Sequence, residues 1–90
     1  MKLNETHYKA ISLSADGLVK TGPGFLGRLT VTASGSGVIR LYDNTAASGT
    51  VILDQMAVTA TNVFVLQIEF FTGCYFDLVS GTATVTITYI

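Results

Sequence analysis

Charge is what this chain has least of: Lys, Arg, Asp and Glu supply 12% of its 90 residues, about half the usual share of roughly 25%. The five basic residues, Lys2, Lys9, Lys20, Arg28 and Arg40, are scattered, and the net charge is −1. Such a chain has no field with which to gather phosphates, so nucleic acid is excluded as a partner. Cysteine occurs once, at Cys74, which rules out an internal disulfide. Histidine also occurs once, at His7, and no second ligand stands at zinc spacing, nor is a Ser-His pair available locally. Long apolar runs are missing too. The longest uncharged stretch, Gln55 to Ile68, is broken by Thr59, Thr61 and Asn62 and falls short of the roughly 18 apolar residues of a membrane span. Met1 to Tyr8 lacks the apolar core and cleavage site of a secretory leader. The sequence therefore predicts a soluble protein, without a membrane partner, that stays where it is made or leaves with a particle.

Helical periodicity is absent as well: no window keeps an apolar i, i+3, i+4, i+7 pattern free of Gly or β-branched crowding. The rhythm that is present has period two. From Thr82 to Ile90, Ala83, Val85, Ile87 and Tyr89 alternate with Thr82, Thr84, Thr86 and Thr88, the signature of a strand with one wet face. Cys74, Phe76 and Leu78 alternate with Tyr75, Asp77 and Val79, and Ser80-Gly81 between the two segments predicts a hairpin. A second hairpin is predicted from Arg28–Ala33 to Val38–Asp43 through Ser34-Gly35-Ser36-Gly37. Val63 to Phe71 is a further strand, with Phe64, Leu66, Ile68 and Phe70 on one face. Its other face mixes Val63, Val65 and Phe71 with Gln67 and Glu69, which implies partial cover by another sheet or subunit. Shorter strands are expected at Tyr8 to Ser14 and Thr50 to Leu53. The lone proline, in Gly22-Pro23-Gly24, marks a bend.

These elements add up to an all-β fold: an antiparallel β-sandwich or jelly-roll-like pair of sheets of about seven or eight short strands. Residues 10–90 form the single domain and residues 1–9 an N-terminal arm. A chain this short buries only roughly 60 to 65% of its unfolded surface. With 49% apolar residues and so little charge, it is expected to cover part of its exterior in a homo-oligomer or larger assembly.

Nothing in the residues builds an active site. Glu5, Asp16, Asp43, Asp54, Glu69 and Asp77 stand at turns or alternate with apolar neighbours, and they give neither a convergent carboxylate pair nor a dense oxygen cluster for a hard cation. Cys74 shares the inward face with Phe76 and Leu78, where a cysteine acts as a small hydrophobe. The glycine pairs precede strands, whereas a phosphate cradle precedes a helix. The expectation is a protein that is not an enzyme and uses no cofactor and no metal.

Two stretches carry a resemblance. Ile39-Arg40-Leu41-Tyr42-Asp43-Asn44-Thr45-Ala46-Ala47-Ser48-Gly49-Thr50-Val51-Ile52, and the segment from Gly73 to Tyr89 ending in Ser80-Gly81-Thr82-Ala83-Thr84-Val85-Thr86-Ile87-Thr88-Tyr89, resemble small structural proteins of tailed bacteriophages. Gly22-Pro23-Gly24-Phe25-Leu26-Gly27 is similar to the approach those proteins make to their first hairpin, while Met1 to Thr21 lies outside the likeness. The resemblance implies a non-enzymatic virion component made in the bacterial host cytoplasm. A capsid decoration (cement) protein on the capsid surface fits it best, with the major capsid protein as partner and a homo-oligomer, a trimer by preference. The alternative it leaves is a tail or fibre accessory module that binds a host-surface glycan through side chains around Tyr42 and Asn44. Candidate interaction residues are Met1, Lys2, Leu3, His7 and Tyr8 on the arm, with Tyr42, Asn44, Val63, Val65 and Phe71.

Overall fold

The computed structural model describes residues 8–90. Among the described residues six strands form, all paired antiparallel: β1 (Lys9–Leu13), β2 (Gly17–Thr21), β3 (Gly24–Asp43), β4 (Thr50–Ala57), β5 (Val63–Phe70) and β6 (Gly73–Tyr89). No helix forms among the described residues. The period-two segments thus became strands, but they are joined otherwise than the sequence predicts.

The two expected hairpins do not exist. Arg28–Ala33 and Val38–Asp43 are halves of one 20-residue strand, β3, and Cys74–Val79 and Thr82–Tyr89 are halves of β6. Each half pairs with the other long strand, from Leu26↔Tyr89 at one end to Tyr42↔Tyr75 at the other. Ser-Gly sequence permits a sharp bend but does not choose partners. Here the partners are supplied by residues distant in the chain, so the expected count of seven or eight strands becomes six.

At the expected turns the long strands bend hard without ending. Register shifts cluster there, between Val31 and Ala33, Gly35 and Ser36, and Val38 and Ile39, and extra residues of this kind kink a strand. Ser36 has φ 56° and Gly81 φ 69°. A Cβ on Gly81 would strike the Ser36 carbonyl oxygen and come within 2.6 Å of its carbon, so the two bends stack backbone on backbone. Twenty residues of straight strand would span roughly 65 Å, yet the longest dimension of the molecule is 43 Å. The ends of β3 accordingly come back together. Gly24 pairs with Phe70, while at the other end the Asp43 carboxylate accepts the N–H groups of Phe71 (3.0 Å), Thr72 (2.8 Å) and Gly73 (3.3 Å).

The shorter strands flank the two halves separately. β1 and β5 extend the half built from the C-terminal part of β6 and the N-terminal part of β3. β2 and β4 extend the other half. Connections cross between the halves at the bends. Asp16, in the β1–β2 turn, accepts the Leu78 N–H at 2.7 Å, and Val58, past β4, donates to the Gly37 carbonyl at 2.9 Å. Side chains from both halves then meet in one cluster: Leu26, Leu29, Val31, Phe70, Val85 and Ile87 with Val19, Ile39, Leu41, Cys74 and Phe76. Burial of each large member is worth on the order of 1.5–3 kcal/mol, and this one core ties the halves together.

Candidate interaction surface

The outward sides of the strands decide what the protein offers to others. Alternation places Thr84, Thr86 and Thr88 of β6 opposite to Val85 and Ile87, which are fully buried. Pairing then sets neighbours side by side: Val63 beside Thr30, Thr30 beside Thr86, and Thr86 beside Ser12. The Ser12 and Thr86 hydroxyls lie 3.0 Å apart. Val65 stands beside Arg28 in the same face. The result is a face four strands wide, made of threonine, serine and valine, with Arg28 its charged residue among those just named.

Val63 and Val65 are the most exposed aliphatic side chains here, at 53% and 61%, and Phe71, beyond the far end of β5, is 68% exposed. Tyr8, just ahead of β1, is 44% exposed. Met1, Lys2, Leu3 and His7 fall outside the described residues. Tyr42 and Asn44 are placed differently from these. Tyr42 is 8% exposed, its hydroxyl accepts from Arg40 at 2.9 Å, and the guanidinium lies 5.6 Å from its ring centre. Asn44 closes its own loop: its Nδ2 donates to the Ser48 carbonyl at 2.8 Å and its Oδ1 accepts the Thr45 N–H at 2.8 Å. The six described candidates therefore separate into an exposed apolar set of Val63, Val65 and Phe71 on and just beyond β5, the exposed Tyr8 ahead of β1, and the internally satisfied pair Tyr42 and Asn44 on the opposite half.

Around Tyr42 lies a polar cluster that the sequence does not reveal, because its members come from three strands and a turn. Arg40 donates to Gln55 Oε1 at 2.7 Å and stands 4.0 Å from the Asp77 carboxylate. Burial, and then the nearby Asp16 charge, push Asp77 upward against the opposing pull of Arg40. At Asp43 burial acts in the same upward direction but is outweighed by the backbone N–H groups of Thr72, Phe71 and Gly73, which hold the carboxyl below its ordinary value. Both acids serve to pin strands and connections. The Cys74 thiol is fully buried and pushed up to about 12, first by burial and then by the Asp43 charge, which leaves it protonated and unreactive at neutral pH. Among the described residues no three His, Cys, Asp or Glu side chains gather as metal ligands.

A second feature invisible in the sequence is a cleft of about 320 Å³ at the margin of the threonine face, lined by Tyr8, Gly27, Arg28, Gln67 and Thr88. Comparison of the chain with models of known protein families, with curated proteins and with solved structures finds no match.

Proposed function

We propose that this chain is a non-enzymatic virion structural protein, a decoration protein that sits on the capsid surface of a tailed bacteriophage and braces neighbouring major capsid subunits. The observation that carries the reading is the broad outer face of Thr30, Thr84, Thr86, Ser12, Val63 and Val65, apolar or hydroxylated and nearly free of charge. Burial of such a face against protein removes methyl groups from water and leaves Arg28, beside Val65, as the charge to be paired, which is the chemistry of an assembly surface. The resemblance of the Leu41–Thr50 loop and of the Ser80–Tyr89 segment to small phage structural proteins points the same way. In this reading the two bent long strands fold the halves over each other as a jelly-roll-like sandwich, and copies associate, as trimers by preference, through the threonine face and the exposed edge of β5.

The test is localisation and stoichiometry. Mass spectrometry of purified virions, with electron microscopy of the particle, is expected to find the chain in hundreds of copies on the capsid exterior. A handful of copies, or density confined to the tail, would remove this reading. Light scattering on the isolated protein is expected to give a mass well above the 9.5 kDa of one chain.

A further inference from the structure

The cleft beside the threonine face is built by a local irregularity. Between Leu26↔Ile68 and Arg28↔Val65 the ladder slips, so that β5 carries one extra residue opposite Gly27. The slip puts Gln67 at φ 54°, a left-handed conformation that side chains avoid and that recurs at binding sites. The conformation belongs to the bulge itself, and it leaves the Gln67 side chain exposed. Across the ladder a Cβ on Gly27 would lie 2.8 Å from the Tyr8 ring and 2.7 Å from Thr88 Oγ1, so the missing side chain lets the ring rest against the backbone and form one wall. Thr88 is held in place by the Arg28 N–H, which donates to its hydroxyl at 2.8 Å.

Three polar ends face this space without a partner among the described residues. Among the described residues, neither the Arg28 guanidinium, the Gln67 amide nor the Tyr8 hydroxyl has a hydrogen-bonding partner, and Arg28 has no carboxylate within salt-bridge reach. The volume lies at the small end of the ~300–1,000 Å³ typical of ligand clefts. A planar cationic fork matches a carboxylate in bidentate fashion. An aromatic wall receives the C–H face of a pyranose ring, and an amide with a phenol can satisfy ring hydroxyls. One cation suits one carboxylate, whereas a polyphosphate would call for several.

We propose that this cleft binds a single carboxylated pyranose, with Arg28 holding the carboxylate, Tyr8 beneath the ring and Gln67 at its hydroxyls. The proposal is independent of the capsid assignment. It is tested by titrating the isotope-labelled full chain, followed by amide NMR, with D-glucuronate, N-acetylneuraminate, D-glucose and acetate in parallel. For one sugar in a half-open cleft, binding at about 1 mM or weaker is expected. The Gly27, Arg28 and Gln67 amides should shift with one or both acidic sugars and not with glucose or acetate at equal concentration. The responding arm tells an internal uronic acid from a terminal sialic-type sugar. Arg28→Ala is expected to weaken the response at least about tenfold. Gln67→Gly should melt at a higher temperature than the natural chain, because glycine accepts the positive φ, and yet bind more weakly. Equal response to glucose or acetate, no response to any probe, undiminished binding by Arg28→Ala, or a Gln67→Gly chain that neither gains stability nor loses binding would each overturn the proposal.

Discussion

Replacing Gly81 by alanine tests whether the bends of the two long strands really stack on one another, and Gly22 supplies the control. Both glycines have positive φ, 69° and 84°. A Cβ on Gly22 meets nothing within 4 Å, whereas on Gly81 it collides with the Ser36 carbonyl and with the Gly35 carbonyl oxygen at 2.8 Å. Gly22→Ala should therefore lose only the conformational term, about 1 kcal/mol. Gly81→Ala loses that and must also push apart two backbones, which in well-packed regions costs about 1–3 kcal/mol more. At about 4–8 °C per kcal/mol for a domain of this size, the control should melt about 4–8 °C below the natural chain. The Gly81 variant, losing about 2–4 kcal/mol of a total stability of about 5–15 kcal/mol, should melt roughly 8–32 °C below it. Thermal unfolding followed by far-ultraviolet circular dichroism, with both variants at the same protein concentration, measures the difference. If Gly81→Ala melts no lower than Gly22→Ala, the close approach of the bends is wrong and β3 and β6 do not fold back together.

Asp43 is held below its ordinary value by backbone donors, so its contribution is complete above the unfolded pKa of about 3.9 and is lost as the pH falls through the lower folded value. Urea unfolding at stepped pH should show Asp43→Asn less stable near neutrality by about 1 kcal/mol, with the gap closing in acid; a gap that widens there would contradict the assignment. Val65→Glu puts a charge on the threonine face and is expected to reduce the light-scattering mass to that of one chain while changing single-chain stability by no more than about 0.5 kcal/mol; an unaltered oligomer would place the contact elsewhere. With its thiol pushed up to about 12, Cys74 should resist iodoacetamide in the folded protein at pH 8 and react readily in urea, and labelling at the rate of a free thiol without denaturant would show that the core is open.

Strand identity was legible in the sequence where alternation runs for several residues, because period two is a property of the pleat itself; β2 (Gly17–Thr21), too short to show it, and the Asp54–Ala57 end of β4 were not. Ala83, Val85 and Ile87 against Thr84, Thr86 and Thr88, and Phe64, Leu66 and Ile68 against Val63 and Val65, are arranged as their alternation implies. Partnership was not legible. Ser34-Gly37 and Ser80-Gly81 carry the backbone freedom that either a hairpin or a bend requires, and the choice rests on which distant strand completes each ladder. The candidate sites divide along the same line. Val63, Val65 and Phe71 could be read from an apolar residue on the wrong side of a strand. The Arg40–Asp77 pair and the cleft at Gln67 depend on register, and the slip opposite Gly27 leaves no mark in the order of the residues.

The continuous pairing of β3 with β6 also constrains how the chain reaches its native state. Leu26 must find Tyr89 and Tyr42 must find Tyr75, and no short-range ladder exists within either long strand to nucleate the search. Such high contact order belongs to domains that fold in milliseconds to seconds rather than microseconds. Synthesis must carry the chain through β6 before the central pair can zip, and until then the threonine and valine edges stay available to other copies.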